Sequence, residues 1–246
     1  MKDKVKRWST ALAGLLAMVV VSSAEAEHQG LTLGSQAAIN AFNQQAVTGT
    51  LLISGDDIVD LGPLSSLESV GAGLWITGNA ALANVVDAFP ALTTVGGGIV
   101  VASNPSLVTF SGFASLNSTG DGIEFSLNDS LTSVSGFGAL QSVGFSLEFV
   151  ENPVLTTTPN FSALTTIASS LFMLQNGALP SVAGLGSLQG VGYALQVANN
   201  RSLKNVCGLS TVLAADDAYP GGFFVGDNHA SLPTPTTSAY ILASCP

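Results

Sequence analysis

The chain has 246 residues, of which 47% are hydrophobic and only 9% charged, with a formal net charge of −10. Six Lys and Arg against sixteen Asp and Glu leave no basic patch to neutralise phosphates, which excludes nucleic acid and anionic membrane surfaces as expected partners. A structural zinc takes about four ligands and would need both cysteines and both histidines, so no metal and no cofactor is expected from this composition.

Residues 1–26 read as an export signal. Lys2, Lys4, Lys6 and Arg7 precede an apolar run over 11–21, and small residues end in Ala24-Glu25-Ala26. Cleavage after Ala26 would leave Arg201 and Lys204 against fourteen acids, a net charge of −12. The run is short for a bilayer span, and no second stretch of about 20 apolar residues comes after it, so no membrane span is expected. No cysteine lies near the cleavage site and 240–246 is no hydrophobic tail, which argues against a lipid anchor. The expected location is secreted, periplasmic or at the cell surface. Residues 27–48 read as an N-terminal cap with a short helix, for which Ser35 is the expected N-cap and Ile39 and Phe42 the residues that cover the open end of the adjoining core.

Residues 49–206 carry a repeat. Asparagines recur at Asn79, Asn104, Asn128, Asn152, Asn176 and Asn200, with gaps of 25, 24, 24, 24 and 24. Each is followed three residues on by leucine: Leu82, Leu107, Leu131, Leu155, Leu179 and Leu203. Asp56 and Asn228, 23 before and 28 after the series, mark irregular end rungs. The segment before each asparagine alternates with period two, as in Leu147-Glu148-Phe149-Val150, the pattern of a strand with one buried face. Later in the unit apolar residues recur every third position (Leu131, Val134, Phe137, Leu140, Val143), which suits short turns around a coil. The fold class expected is therefore all-β: a right-handed parallel β-solenoid of about seven to eight 24-residue leucine-rich rungs. The asparagines should form an internal ladder whose amides satisfy backbone groups in the bend after each strand, a structural role.

The stretch 35–45 followed by Val47-Thr48-Gly49-Thr50-Leu51-Leu52-Ile53 resembles the receptor L-domain family, in which a short helix leads into an apolar-x-Gly-x-Leu-x-Ile strand and then into rungs with Leu-x-x-Leu and asparagine bends. The match runs over 31–209. The resemblance implies binding rather than catalysis, and it carries over scaffold positions only, because contact residues vary across such a family. Relatives in growth-factor receptors have additional cysteines and companion modules, whereas this chain has one cysteine pair.

Residues 207–246 break the period and read as a C-terminal cap with a strand-like Gly222-Phe223-Phe224-Val225. Cys207 and Cys245 in an exported chain are most simply one disulfide holding that cap, the alternative being a free thiol pair.

Outward strand positions form two columns. The first is Leu52, Trp75, Val100, Glu124, Glu148, Phe172, Gln196 and Phe224; the second is Ser54, Thr77, Ala102, Ser126, Val150, Leu174 and Ala198. Trp75, Val150, Phe172 and Leu174 are large apolar groups on a face expected to be wet, which marks an interaction surface. Glu124 and Glu148 one rung apart have roughly the 5 Å separation of a retaining glycosidase pair, yet no Arg, Lys or His accompanies them to orient a substrate. Divalent-cation binding or solvation fits them better, as it does Asp56, Asp57 and Asp60 and the tail acids Asp216, Asp217 and Asp227. There is no Ser-His-Asp set and no phosphate-cradling glycine loop followed by lysine. Glycosylation acceptor patterns begin at Asn117, Asn128, Asn160 and Asn200, of which Asn128 and Asn200 are ladder positions expected to be buried.

The expected function is recognition of a protein or glycan through Trp75, Glu124, Glu148, Val150, Phe172 and Leu174, with a divalent cation as a further candidate partner. A structural envelope or adhesion component is the alternative, and a β-helical polysaccharide-active enzyme a remote one.

Overall fold

The computed structural model describes residues 30–215, 219–232 and 236–245. The expected export signal, residues 1–26, lies outside the described residues, as do Asp216 and Asp217. The described chain is mostly strand, wound through parallel sheets, with few and short helices.

The longest sheet has nine strands, Leu31–Leu33, Leu51–Ile53, Leu74–Thr77, Ile99–Ala102, Ile123–Ser126, Leu147–Val150, Leu171–Leu174, Ala194–Ala198 and Gly222–Gly226, each parallel to the next. Period-two alternation puts two residues of each central strand inside. Leu74, Ile99, Ile123, Leu147 and Leu171 align in one inward column, and Ile76, Val101, Phe125, Phe149 and Met173 in another, all buried. The three-residue spacing of the later half of each unit yields two narrower parallel sheets, of seven and three strands, on the other sides of the coil. Leu131, Val134, Phe137, Leu140 and Val143 all turn inward there. Phe89, Phe113, Phe137 and Phe161, one per unit, pack as a stack with ring centroids 5.4, 5.3 and 5.5 Å apart. Such aromatic pairs contribute about 0.5–1.5 kcal/mol each beyond burial.

From Leu74–Thr77 onward, each long strand ends in a turn through a residue in the left-handed region: Gly78, Ser103, Leu127, Glu151, Gln175, Asn199 and Asp227. That turn delivers the next residue, the periodic asparagine, into the interior, where Asn79, Asn104, Asn128, Asn152, Asn176 and Asn200 are all fully buried. Each accepts from a backbone N–H one rung back and donates its amide to a strand carbonyl. The Oδ1 of Asn152 accepts from the backbone N–H of Asn128 at 3.3 Å and from its Nδ2 at 3.2 Å, while the Nδ2 of Asn152 donates to the Phe125 carbonyl at 2.9 Å. The ladder is one member longer than the regular spacing indicates. Asn228 accepts from the Asn200 N–H at 3.0 Å and donates to the Val197 carbonyl at 2.9 Å, so the 28-residue gap changes the loop and leaves the bend intact. At the other end Asp56 is exposed, and the Gly55 N–H fills the corresponding place by donating to Asn79.

Both ends of the coil are covered. Ser35 caps the helix Gln36–Ala41, its Oγ accepting from the Ala38 N–H at 3.2 Å, and this helix buries Ile39 against the core with Phe42 packed beside it. At the far end the helices Ser210–Ala215 and Ser238–Ser244 pack on each other, with Leu213 and Ile241 in the core. The Cys207–Cys245 disulfide spans 38 residues with its Cα atoms 5.2 Å apart and ties the end of the last helix to the 3-10 turn Cys207–Leu209, between the ladder residues Asn200 and Asn228.

The ladder and the disulfide each make a measurable contribution to stability. Asn152→Ala removes a donor and an acceptor that satisfy buried backbone groups, at a cost of about 1–3 kcal/mol. Thermal unfolding should show that loss and almost none for exposed Gln141→Ala; equal melting temperatures would remove the ladder as a stabilising feature. The disulfide should contribute about 2–4 kcal/mol by restricting the unfolded chain. Intact mass should show no alkylation without reductant, and reduction should lower the melting temperature.

Candidate functional site

Strand register sets the candidate surface. Leu52, Trp75, Val100, Glu124, Glu148, Phe172, Gln196 and Phe224 stand in a single column across eight neighbouring strands. Two positions further along lie Thr77, Ala102, Ser126, Val150, Leu174 and Ala198. The six residues read from the sequence as a recognition surface therefore share one strip.

Their exposure differs from expectation. Trp75, Glu124, Glu148, Val150, Phe172, Leu174 and Gln196 are all half-buried, and Ala102, Ser126 and Ala198 are buried outright. Strands about 4.8 Å apart leave long outward side chains no room except against one another and along the sheet. Trp75 shows the effect: its indole lies over Gly73, where an added Cβ would come within 2.7 Å of Nε1. Glycine at 73 is what lets the ring lie down.

The two carboxylates are direct register partners in adjacent strands. Glu124 is tied down, its Oε1 accepting from the Ser126 hydroxyl at 2.5 Å. Glu148 has one carboxylate oxygen that is both buried and without a hydrogen-bond partner. Burial first, and the neighbouring charge of Glu124 second, push its carboxyl from the usual 4.5 up to about 7.

Two exposed aromatics flank this strip and have no place in the alternating pattern. Phe145 and Tyr193 are 55% and 54% exposed, each three residues before its column member, at the corner where the chain enters the long strand. They are linked through backbone bonds, Ser169 N–H to the Phe145 carbonyl at 2.9 Å and Tyr193 N–H to the Ser169 carbonyl at 2.7 Å, which places them two rungs apart. The 24-residue period, had it been applied to corner positions as well as strand positions, marks both.

The acids of the first rung are engaged in local structure. Asp57 accepts from the Gln36 N–H at 3.2 Å at the start of the first helix, and Asp60 accepts from the Gly62 N–H at 2.8 Å. Among the described residues no group of three or more His, Cys, Asp or Glu is gathered to hold a metal ion. Of the glycosylation patterns, Asn117 and Asn160 are exposed, while Asn128 and Asn200 are fully buried in the ladder.

Among the described residues no helix is long and apolar enough to cross a membrane. The described residues thus form parallel sheets with few and short helices and one packed, aromatic and acidic strand face. Comparison with protein-family models, with curated proteins and with solved structures finds no match.

Proposed function

We propose that the protein is an exported recognition module of the receptor L-domain kind, a right-handed solenoid of seven to eight leucine-rich rungs that binds a protein or glycan and performs no catalysis. The export signal over 1–26 and the disulfide, a bond that persists in oxidising compartments, support a secreted, periplasmic or cell-surface location. The observation that carries the reading is the strip itself: Trp75, Glu124, Glu148 and Phe172 in one register column, with Val150 and Leu174 beside them. A rigid stack presents these groups at fixed spacing, so little ordering entropy is lost when a partner docks. Aromatic rings supply anchoring area, and the carboxylates favour a cationic or hydroxyl-rich partner.

The alternative, a structural envelope component, is favoured by the half-burial of those same side chains, which is also what a sheet wall needs.

After loss of 1–26, Trp75 is the only tryptophan in the chain, so its fluorescence reports directly on the strip. A partner captured from the native envelope should change that fluorescence on titration. Trp75→Ala and Phe172→Ala, assayed by calorimetry, should each weaken binding about thirtyfold, the equivalent of about 2 kcal/mol. Glu148→Gln should weaken it less, and Ser162→Ala, on another side of the coil, should have no effect. A captured partner that binds all of these variants as tightly as the parent reduces the strip to a wall of the coil.

A further inference from the structure

The strip contains one feature that a plain binding surface does not need. Glu124 and Glu148 are Cα partners in neighbouring parallel strands, about one strand spacing apart. An ionised carboxylate only accepts hydrogen bonds, and one oxygen of Glu148 is buried with nothing to accept from. Among the described residues, no cation stands in the register column around it. In register below the pair stands Val100, and above it Phe172 and then Gln196; on its own strand the same face carries Val150. The other charged groups nearby along the chain are acids at strand ends, Glu151 in the turn and Asp121, whose Oδ1 accepts from the Gly122 N–H at 2.9 Å. Arg201 and Lys204 come just after the ladder residue Asn200, away from the strand column.

A protonated carboxyl, unlike a carboxylate, can donate, and the register partner is an acceptor. Glu124 spends one oxygen on the Ser126 hydroxyl. We propose that Glu148 retains a proton in the folded protein into the mildly acidic range, where an ordinary glutamate is ionised, and shares it with Glu124 across the two strands, so that alkalinisation adds one negative charge to the middle of the strand face. The pair is thereby a pH-sensitive element built into the stack. It lies on the surface to which binding is assigned, but it needs no partner to operate.

The sign of the pH effect is set by linkage. The Glu148 carboxyl titrates near 7 in the folded chain against 4.5 ordinarily, so between those values the folded state holds more protons than the unfolded state. Folding is therefore favoured at the acid end of that window, and stability is lost as pH rises toward 7.

The mature protein alone suffices for the test. Infrared spectra in heavy water should show a protonated-carboxyl band that persists at about pH 6, disappears with a midpoint near pH 7, and is absent from Glu148→Gln. Over the same window the parent's melting temperature should fall relative to that of Glu148→Gln, which lacks the titrating group. Glu124→Gln should move the midpoint to lower pH without returning it to the ordinary glutamate range, because burial is the larger cause. Absence of the band at about pH 6, or melting profiles for parent and Glu148→Gln that stay parallel from about pH 5 to 8, would overturn the proposal. Neither readout depends on whether anything binds the face.

Discussion

The constraint on which this architecture rests is the satisfaction of backbone polar groups inside a coil filled with apolar side chains. Each unit must bend inward after its long strand, and the bend leaves amide and carbonyl groups facing an interior of Leu, Ile, Val and Phe. A buried amide side chain meets both needs, because asparagine carries a donor and an acceptor on one short stem. Asn104 accepts from the Asn79 N–H at 3.0 Å and gives its own amide to the Ile76 carbonyl at 2.9 Å, so one residue serves the rung before it and is served by the rung after. The ladder accordingly couples neighbours and only neighbours, which makes the fold nearly one-dimensional. It also explains where length can vary. Insertions such as the one before Asn228 fall between bends, where they disturb no shared bond.

Once the bends are fixed at one per unit, everything outside is held at the strand spacing too. Identical positions in successive units become columns, and the chemistry of the outer face is decided by which residues occupy them. Large side chains at that spacing cover one another, which is why Trp75 and Phe172 are half-buried although they point away from the core. The same crowding strips water from Glu148 and sets it against Glu124, so an ordinary outward glutamate acquires an unusual proton affinity. Scaffold and site are thus one physical system: the regularity that stabilises the coil also perturbs its surface.

Much of this was legible in the sequence because two periodicities reinforce each other. The 24-residue spacing of asparagines and the alternation before them define which residues share a column, and the register from Trp75 through Gln196 matches that reading position by position. The disulfide was legible from there being two cysteines in a chain that begins like an exported one. What escaped depends on directions that periodicity does not encode. Alternation says that Trp75 points outward but not that it lies over Gly73; it gives Glu148 a neighbour but not the burial of one oxygen. Phe145 and Tyr193 sit at corners, where inward and outward no longer alternate, and the first-rung acids Asp57 and Asp60 are absorbed by the helix start and a tight turn.

The most direct measurement of the central claim is hydrogen exchange of the asparagine side-chain amides, monitored by NMR on the folded protein. The account predicts that the amides of Asn104, Asn128, Asn152 and Asn176, fully buried and bonded to strand carbonyls, exchange as slowly as the backbone amides of the long sheet. Exposed Asn43 and Asn160 should exchange at the rate of free amides. Ladder amides that exchange as fast as Asn43 would mean that water reaches the bends, and the claim that these residues close the interior would be contradicted.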